Sequence, residues 1–174
     1  MEDALPIGTP PWFLFLALLI FARAMDFLST WIATPNLVLE GNPIAKKLGW
    51  KWGLLINVVL VFFLAAWPFS AIVVSTASVL VAARNFQAAW LMRSLGEEAY
   101  RAWHIERIQE TPIALYLLCL ASQTFLNAGV GAALIYFGHL RLVPTSIGMG
   151  MVAYAVAVLF YTFLSVWRLR LSPR

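Results

Sequence analysis

Apolar residues run along this chain in long blocks, with polar residues gathered into short stretches between them. Five runs of roughly 18 to 25 apolar residues can be drawn, each matched to a hydrocarbon core about 30 Å thick. None alternates in polarity over about ten residues, as the strands of a membrane barrel would. The pattern predicts helices over about 11–33, 52–66, 71–92, 112–137 and 147–167. Pro10 and Pro11 suit a helix start, where a missing N–H costs nothing, and Pro112 does the same for the fourth helix. Pro35 disfavours helical geometry at Thr34 and ends the first helix there. The apolar run 52–92 is twice the length of one span. Pro68 near its middle predicts a tight turn at Trp67–Ser70, which leaves the second helix short. Trp12 and Trp31 fall near the two ends of the first helix, where interfacial aromatics are expected.

Residues 93–110 break the apolar pattern. Leu95, Ala99, Trp103 and Ile108 fall roughly on one helical face, and Glu97, Glu98, Arg101, Glu106 and Arg107 fall elsewhere. That is the pattern of an amphipathic helix lying on a membrane surface. An extension of the third helix and a partner-binding helix fit the same residues. The predicted fold class is therefore all-α: a polytopic membrane protein with five transmembrane helices and one interfacial amphipathic helix, in a single domain of 174 residues.

Composition strengthens this reading. The chain is 62% hydrophobic and 11% charged, with a mean hydropathy of +0.83, whereas soluble domains are about half apolar and a quarter charged. The net charge of +4 marks a cytoplasmic side rather than a nucleic-acid partner, since no basic–aromatic signature accompanies it. With five spans and the N-terminus outside, the cytoplasmic segments hold Lys46, Lys47, Lys51, Arg93, Arg101, Arg107, Arg168, Arg170 and Arg174, nine of the twelve basic residues. The outer loops hold only Arg141. This asymmetry predicts an N-out, C-in orientation. The acidic N-terminus lacks the basic region of a cleavable signal, so the first helix is expected to be retained. The single cysteine, Cys119, reads as a small core residue. No Cys/His cluster suggests zinc, and no cofactor is implied.

The polar residues inside the spans change the picture most. Arg23 and Asp26, three apart in the first helix, can pair on one face, and Ser29 and Thr30 follow one turn later. The third helix carries Arg84, Asn85 and Gln87, and the second carries Asn57. The loop with Glu40, Asn42 and Pro43 lies on the same side. These stretches predict a cytoplasm-facing polar pocket built from Arg23, Asp26, Ser29, Thr30, Glu40, Asn42, Asn57, Arg84 and Asn85. Two readings stay open. In one, Arg23 or Arg84 neutralises Asp26 and the cluster locks helices together; such contacts contribute about 0.6–2 kcal/mol each. In the other, the pocket binds an ion, a lipid headgroup or a substrate, as intramembrane charges often do. Gln123 and Asn127 on the fourth helix, with Gly129 and Gly131, and Gly148 and Gly150 on the fifth, suit close helix packing.

No zinc motif, nucleophile elbow or phosphate-cradling glycine loop is present. Asp26-Phe-Leu-Ser29-Thr30 followed by Glu40-Gly-Asn42-Pro43 resembles a pattern in small uncharacterised bacterial multi-pass membrane proteins, in which an Asp and a Thr near a helix end precede a Glu-x-Asn-Pro loop. The likeness covers about 20 residues; it implies a bacterial host and a segment acting as a unit, and carries no chemistry. The expected function is thus an accessory or partner/ligand-binding subunit of an inner-membrane assembly, with the lipid bilayer, other membrane subunits or further copies of the chain as partners and no nucleic acid. The alternatives are a small transporter or channel-like protein using the Asp26 pocket, and an intramembrane lipid-modifying enzyme using Asp26 and Glu40.

Overall fold

The structure is a computed structural model describing residues 4–171, with side chains through residue 167. It contains α1 (Pro10–Ala33), α2 (Pro43–Leu64), α3 (Pro68–Leu95), α4 (Glu97–Glu110), α5 (Ile113–Phe137) and α6 (Leu142–Leu171). All but α4 are long and apolar enough to cross a membrane, and the described residues form no strand. The basic tail at Arg168, Arg170 and Arg174 lies outside the described side chains.

Side-chain contacts set the helix directions. Arg23 of α1 meets Ser78 of α3, and Thr30 meets Asn85. The same offset at two levels means that α1 and α3 run parallel. Gly150 of α6 lies against Val73 and Thr76 of α3, and Tyr154 clusters with Ala77, Leu80 and Val81 one turn further on, so α6 runs the same way. Helix α2 runs back along α1, with Phe62 against Trp12 and Asn57 against Arg23. Helix α5 runs back along α6, with Gly131 against Gly148 and Leu120 in the cluster that holds Val158. We call the end where α1, α3 and α6 begin the top and the end where they finish the base.

The α1–α3 contact is the most extensive in the molecule, followed by α5–α6 and α3–α6. Its cause is legible in α3. Ala71, Ser75, Ser78, Ala82, Asn85 and Ala89 recur at spacings of four and three; all but Asn85 are buried. On α1, Leu19, Ala22, Asp26, Ser29 and Ala33 repeat the spacing. A 3.5-residue repeat keeps one seam facing its partner along two near-parallel helices, and small residues on it bring the backbones close. Glycines serve the other crossings. A Cβ on Gly150 would lie 2.7 Å from Thr76 Cβ and 2.8 Å from the Val73 carbonyl, and Gly131 and Gly148 meet backbone to backbone. By contrast, α2 touches α1 and α3 only sparsely, and 6% of its apolar window is buried.

The helix boundaries differ from those expected in physically instructive ways. The second helix begins at Pro43 rather than near residue 52, but it is broken at Gly49 (φ 65°, ψ −175°), so the continuous span starts one residue later. Pro68 is not inside a turn: it is the first residue of α3, where its fixed φ suits the helix, and the turn is Ala65–Trp67. Helix α6 starts at Leu142 instead of 147, taking Pro144 into its first turn. Residues 93–110 are divided: 93–95 complete α3, which ends at Leu95, and Gly96 (φ 82°) turns the chain into α4. Within the protein α4 buries Tyr100 and Ile108 and leaves Ala99 and Trp103 uncovered, as a face turned to a membrane surface would be. Trp12 is 4% exposed inside the top cluster with Leu19 and Val61, not an interfacial anchor. Trp31 is exposed near the base, where Arg93 stands 6.0 Å from its ring centre. Cys119, expected in the core, is exposed on α5.

Candidate functional site

Arg23 organises the base-side half of α1. Its Nε donates to Asn57 Oδ1 of α2 at 2.7 Å; one terminal nitrogen donates to Asp26 Oδ2 at 2.6 Å and to Ser78 Oγ of α3 at 3.0 Å. The guanidinium also lies 5.6 Å from the Phe27 ring centre. One side chain thus ties three helices, and Asn57 is itself held by donating to the Gly53 carbonyl. The Arg23 and Asp26 side chains are 26% and 16% exposed, so the pair is largely withdrawn from solvent. Charge-assisted bonds in such a setting are short and strong, and losing one partner leaves the other charge uncompensated.

One turn lower, Asn85 donates to Ser29 Oγ at 3.3 Å and Thr30 Oγ1 at 3.2 Å, while Ser29 donates to the Asp26 carbonyl. Helix α3 therefore grips α1 at two levels. Ser78 belongs to this network and was not anticipated. Its signal was positional: a lone serine is unremarkable, but Ser78 and Asn85 are seven apart on the small-residue seam of α3.

The loop from Thr34 to Asn42 closes the base through its own backbone. Thr34 Oγ1 accepts from the Leu39 amide at 3.0 Å, and Leu37 takes a left-handed conformation (φ 57°). Glu40 Oε1 accepts from the Asn42 amide at 2.7 Å. Asn42 Oδ1 accepts from the Ile44 and Ala45 amides and so caps α2. The Gly49 break lets Trp50 reach back, donating to the Pro35 carbonyl at 2.8 Å and placing its ring 6.1 Å from that of Phe27. Glu97, at the first position of α4, accepts from the Asn36 amide at 2.8 Å and pins the loop from below.

Of the nine residues singled out, Arg23, Asp26 and Asn57 form one network, and Ser29, Thr30 and Asn85 adjoin it. Glu40 lies within electrostatic reach of Asp26, yet its hydrogen bond is spent in the loop. Asn42 is committed to its cap. Arg84 stays apart: Asp26 is taken by Arg23, and no hydrogen bond or ion pair joins Arg84 to the cluster among the described residues. Asp26 Oδ1 accepts no hydrogen bond among the described residues, so the network keeps one open acceptor. Among those residues no group of three or more His, Cys, Asp or Glu side chains could hold a metal ion. A separate depression of about 490 Å³ lies at the top, between α5 and α6, bordered by His139 and Arg141.

The chain matches no known family model, no curated protein and no solved structure.

Proposed function

We propose that this chain is a multi-pass protein of a bacterial inner membrane, with its base toward the cytoplasm, and that it acts without catalysis as an accessory subunit binding a membrane-embedded partner. The carrying observation is α5. Only 6% of its apolar window is buried, and Ser122 and Gln123 are exposed at mid-helix. A side-chain amide turned to hydrocarbon is costly, whereas across a helix–helix interface it finds partners. The polar cluster supports the same reading from the other side. Its arginine is bonded to three helices, and Glu40 and Asn42 are committed to loop and cap, which leaves little free chemistry for turnover. The basic residues favour the orientation: Lys46, Lys47, Lys51, Arg93, Arg101 and Arg107 stand at the base or on α4, and Arg141 at the top.

Native mass spectrometry of protein released gently from its own membrane tests this. Wild type should carry a stoichiometric protein partner, and Gln123→Leu should lose most of it while still folding. Wild type emerging alone would sink the accessory reading. A second reading, a small-ligand site, draws on the open Oδ1 of Asp26 beside Glu40. It requires a bound small molecule that Asp26→Asn loses. A transport path has less to draw on. Asn127 donates back to the Gln123 carbonyl in its own helix, and α5 packs on α6 rather than on the Asp26 side of the bundle.

A further inference from the structure

The depression between α5 and α6 lies at the top of the molecule, away from the network around Arg23. Its lining is cut largely from one face of α5. Val130, Ala133, Leu134 and Phe137 follow at helical spacing, and Pro144 of α6 adds to them. From Val130 to Phe137 this apolar strip runs about 10 Å, at 1.5 Å rise per residue. Beyond Phe137 the lining turns polar, with His139 and Arg141.

The turn that carries those two residues is tightly held. The Arg141 amide donates to the Gly138 carbonyl at 2.9 Å, and a Cβ on Gly138 would stand 2.9 Å from Pro144 Cγ. His139 and Leu140 both take left-handed conformations (φ 48° and 60°), which side-chain-bearing residues adopt uncommonly. Arg141 is exposed, and among the described residues no carboxylate pairs with it. The described acidic residues stand elsewhere: Asp26 in the base-side half of α1, Glu40 in the base loop and the others on α4. The polar end of the groove thus carries a positive charge that no described residue answers.

A groove that is apolar along its length and cationic at one end matches a molecule of complementary pattern. Size narrows the class. The volume of about 490 Å³ falls within the range of about 300–1,000 Å³ common for small-molecule sites. At about 30 Å³ per water-sized group it holds roughly sixteen such groups, which suits one alkyl chain with a small head rather than two chains. We propose that this groove binds a single-chain anionic amphiphile, with its chain along the Val130–Phe137 strip and its carboxylate or phosphate oxygens on Arg141. Guanidinium matches either oxyanion with paired, charge-assisted hydrogen bonds, and the strip removes methylenes from water. The site depends on no bilayer boundary and is independent of the accessory role.

The protein in phosphatidylcholine nanodiscs is photolabelled with a diazirine-bearing dodecanoate, and the adducts are mapped by mass spectrometry of its peptides. One adduct per chain is expected, within residues 130–144. Dodecanoate should displace the label at about one-tenth of the concentration that dodecanol needs, the effect of one charge-assisted contact, and acetate should not displace it. Arg141→Gln should weaken labelling about tenfold and Arg141→Lys about threefold. Ala133→Trp fills the groove from an exposed position and should abolish labelling, and Lys47→Gln at the base should leave it unchanged. Should Ala133→Trp not fold, the two Arg141 variants decide. Adducts spread over the outward faces of several helices, or unchanged labelling in Arg141→Gln, overturn the proposal. So does dodecanol that competes as well as dodecanoate. Displacement by acetate would mark a free-anion site, and stronger displacement by phosphatidylglycerol than by dodecanoate a two-chain lipid site; either overturns it equally.

Discussion

At the scale of single residues, Arg23 decides most. Replacing it with Met strands the Asp26 carboxylate and frees Asn57 and Ser78 from their shared donor. Breaking a buried ion pair from one side costs about 3–5 kcal/mol. Since both side chains keep some exposure, Arg23→Met should cost roughly 2–3 kcal/mol in reversible unfolding in mixed micelles. Arg23→Met combined with Asp26→Leu should cost less than the sum of the two single changes, because the double variant leaves no charge unpaired; additivity would mean the pair is not coupled. At the base, Asn42→Ala removes the cap of α2 and should cost about 1 kcal/mol, with Asn42→Asp close to neutral by the same measurement. Sequence spacing alone put Arg23 and Asp26 on one face of a helix. It could not choose between Arg23 and Arg84 as the partner of Asp26, since that choice depends on which side of α3 turns toward α1.

At the scale of helices, close approach is the governing quantity. Gly150 sits where a side chain would run into Thr76 and the Val73 carbonyl. Gly150→Leu should therefore push α3 and α6 apart and lower the unfolding midpoint steeply. Gly129→Ala, on the open face of α5 where nothing lies within 4 Å, should be neutral or mildly stabilising. Equal effects of the two would refute the close crossing of α3 and α6 and the open face of α5. Gly49 holds a backbone conformation that side-chain-bearing residues avoid, so Gly49→Ala should cost about 1–3 kcal/mol and loosen the contact of Trp50 with Pro35. Proline announced several helix ends, but within limits. Pro68 marked the break between α2 and α3, yet its role as first helical residue depended on where the turn closed. The contacts of α4 lie on α3 and α6, which no local periodicity contains.

At the scale of the whole molecule, the three parallel helices α1, α3 and α6 form a packed row, with α2 and α5 as flanks. The thin contacts of α2 predict that its amides exchange hydrogen ahead of those of α3; the reverse order would contradict this packing. Orientation is testable in a Cys119→Ser background. A thiol introduced as His139→Cys should react with an impermeant maleimide in intact cells, and one introduced as Lys47→Cys only after permeabilisation. The opposite pattern would invert the topology.

By itself, the sequence determined the features that depend on composition and local periodicity. These are the all-α class, five apolar segments of spanning length, the gathering of basic residues at one end and the confinement of costly polar groups to a few short stretches. Each rests on the cost of apolar surface in water or of charge in hydrocarbon, which a residue carries wherever it goes. The tertiary structure alone decided which of those polar groups meet. Ser78 joins Arg23, Asn85 joins Ser29 and Thr30, Glu40 and Asn42 turn inward to their own loop, and Arg84 is left outside the network. Such pairings depend on the rotation and offset of one helix against another. Those are set by the small-residue seam between α1 and α3 and the glycine crossings on α6, where distant segments contribute together.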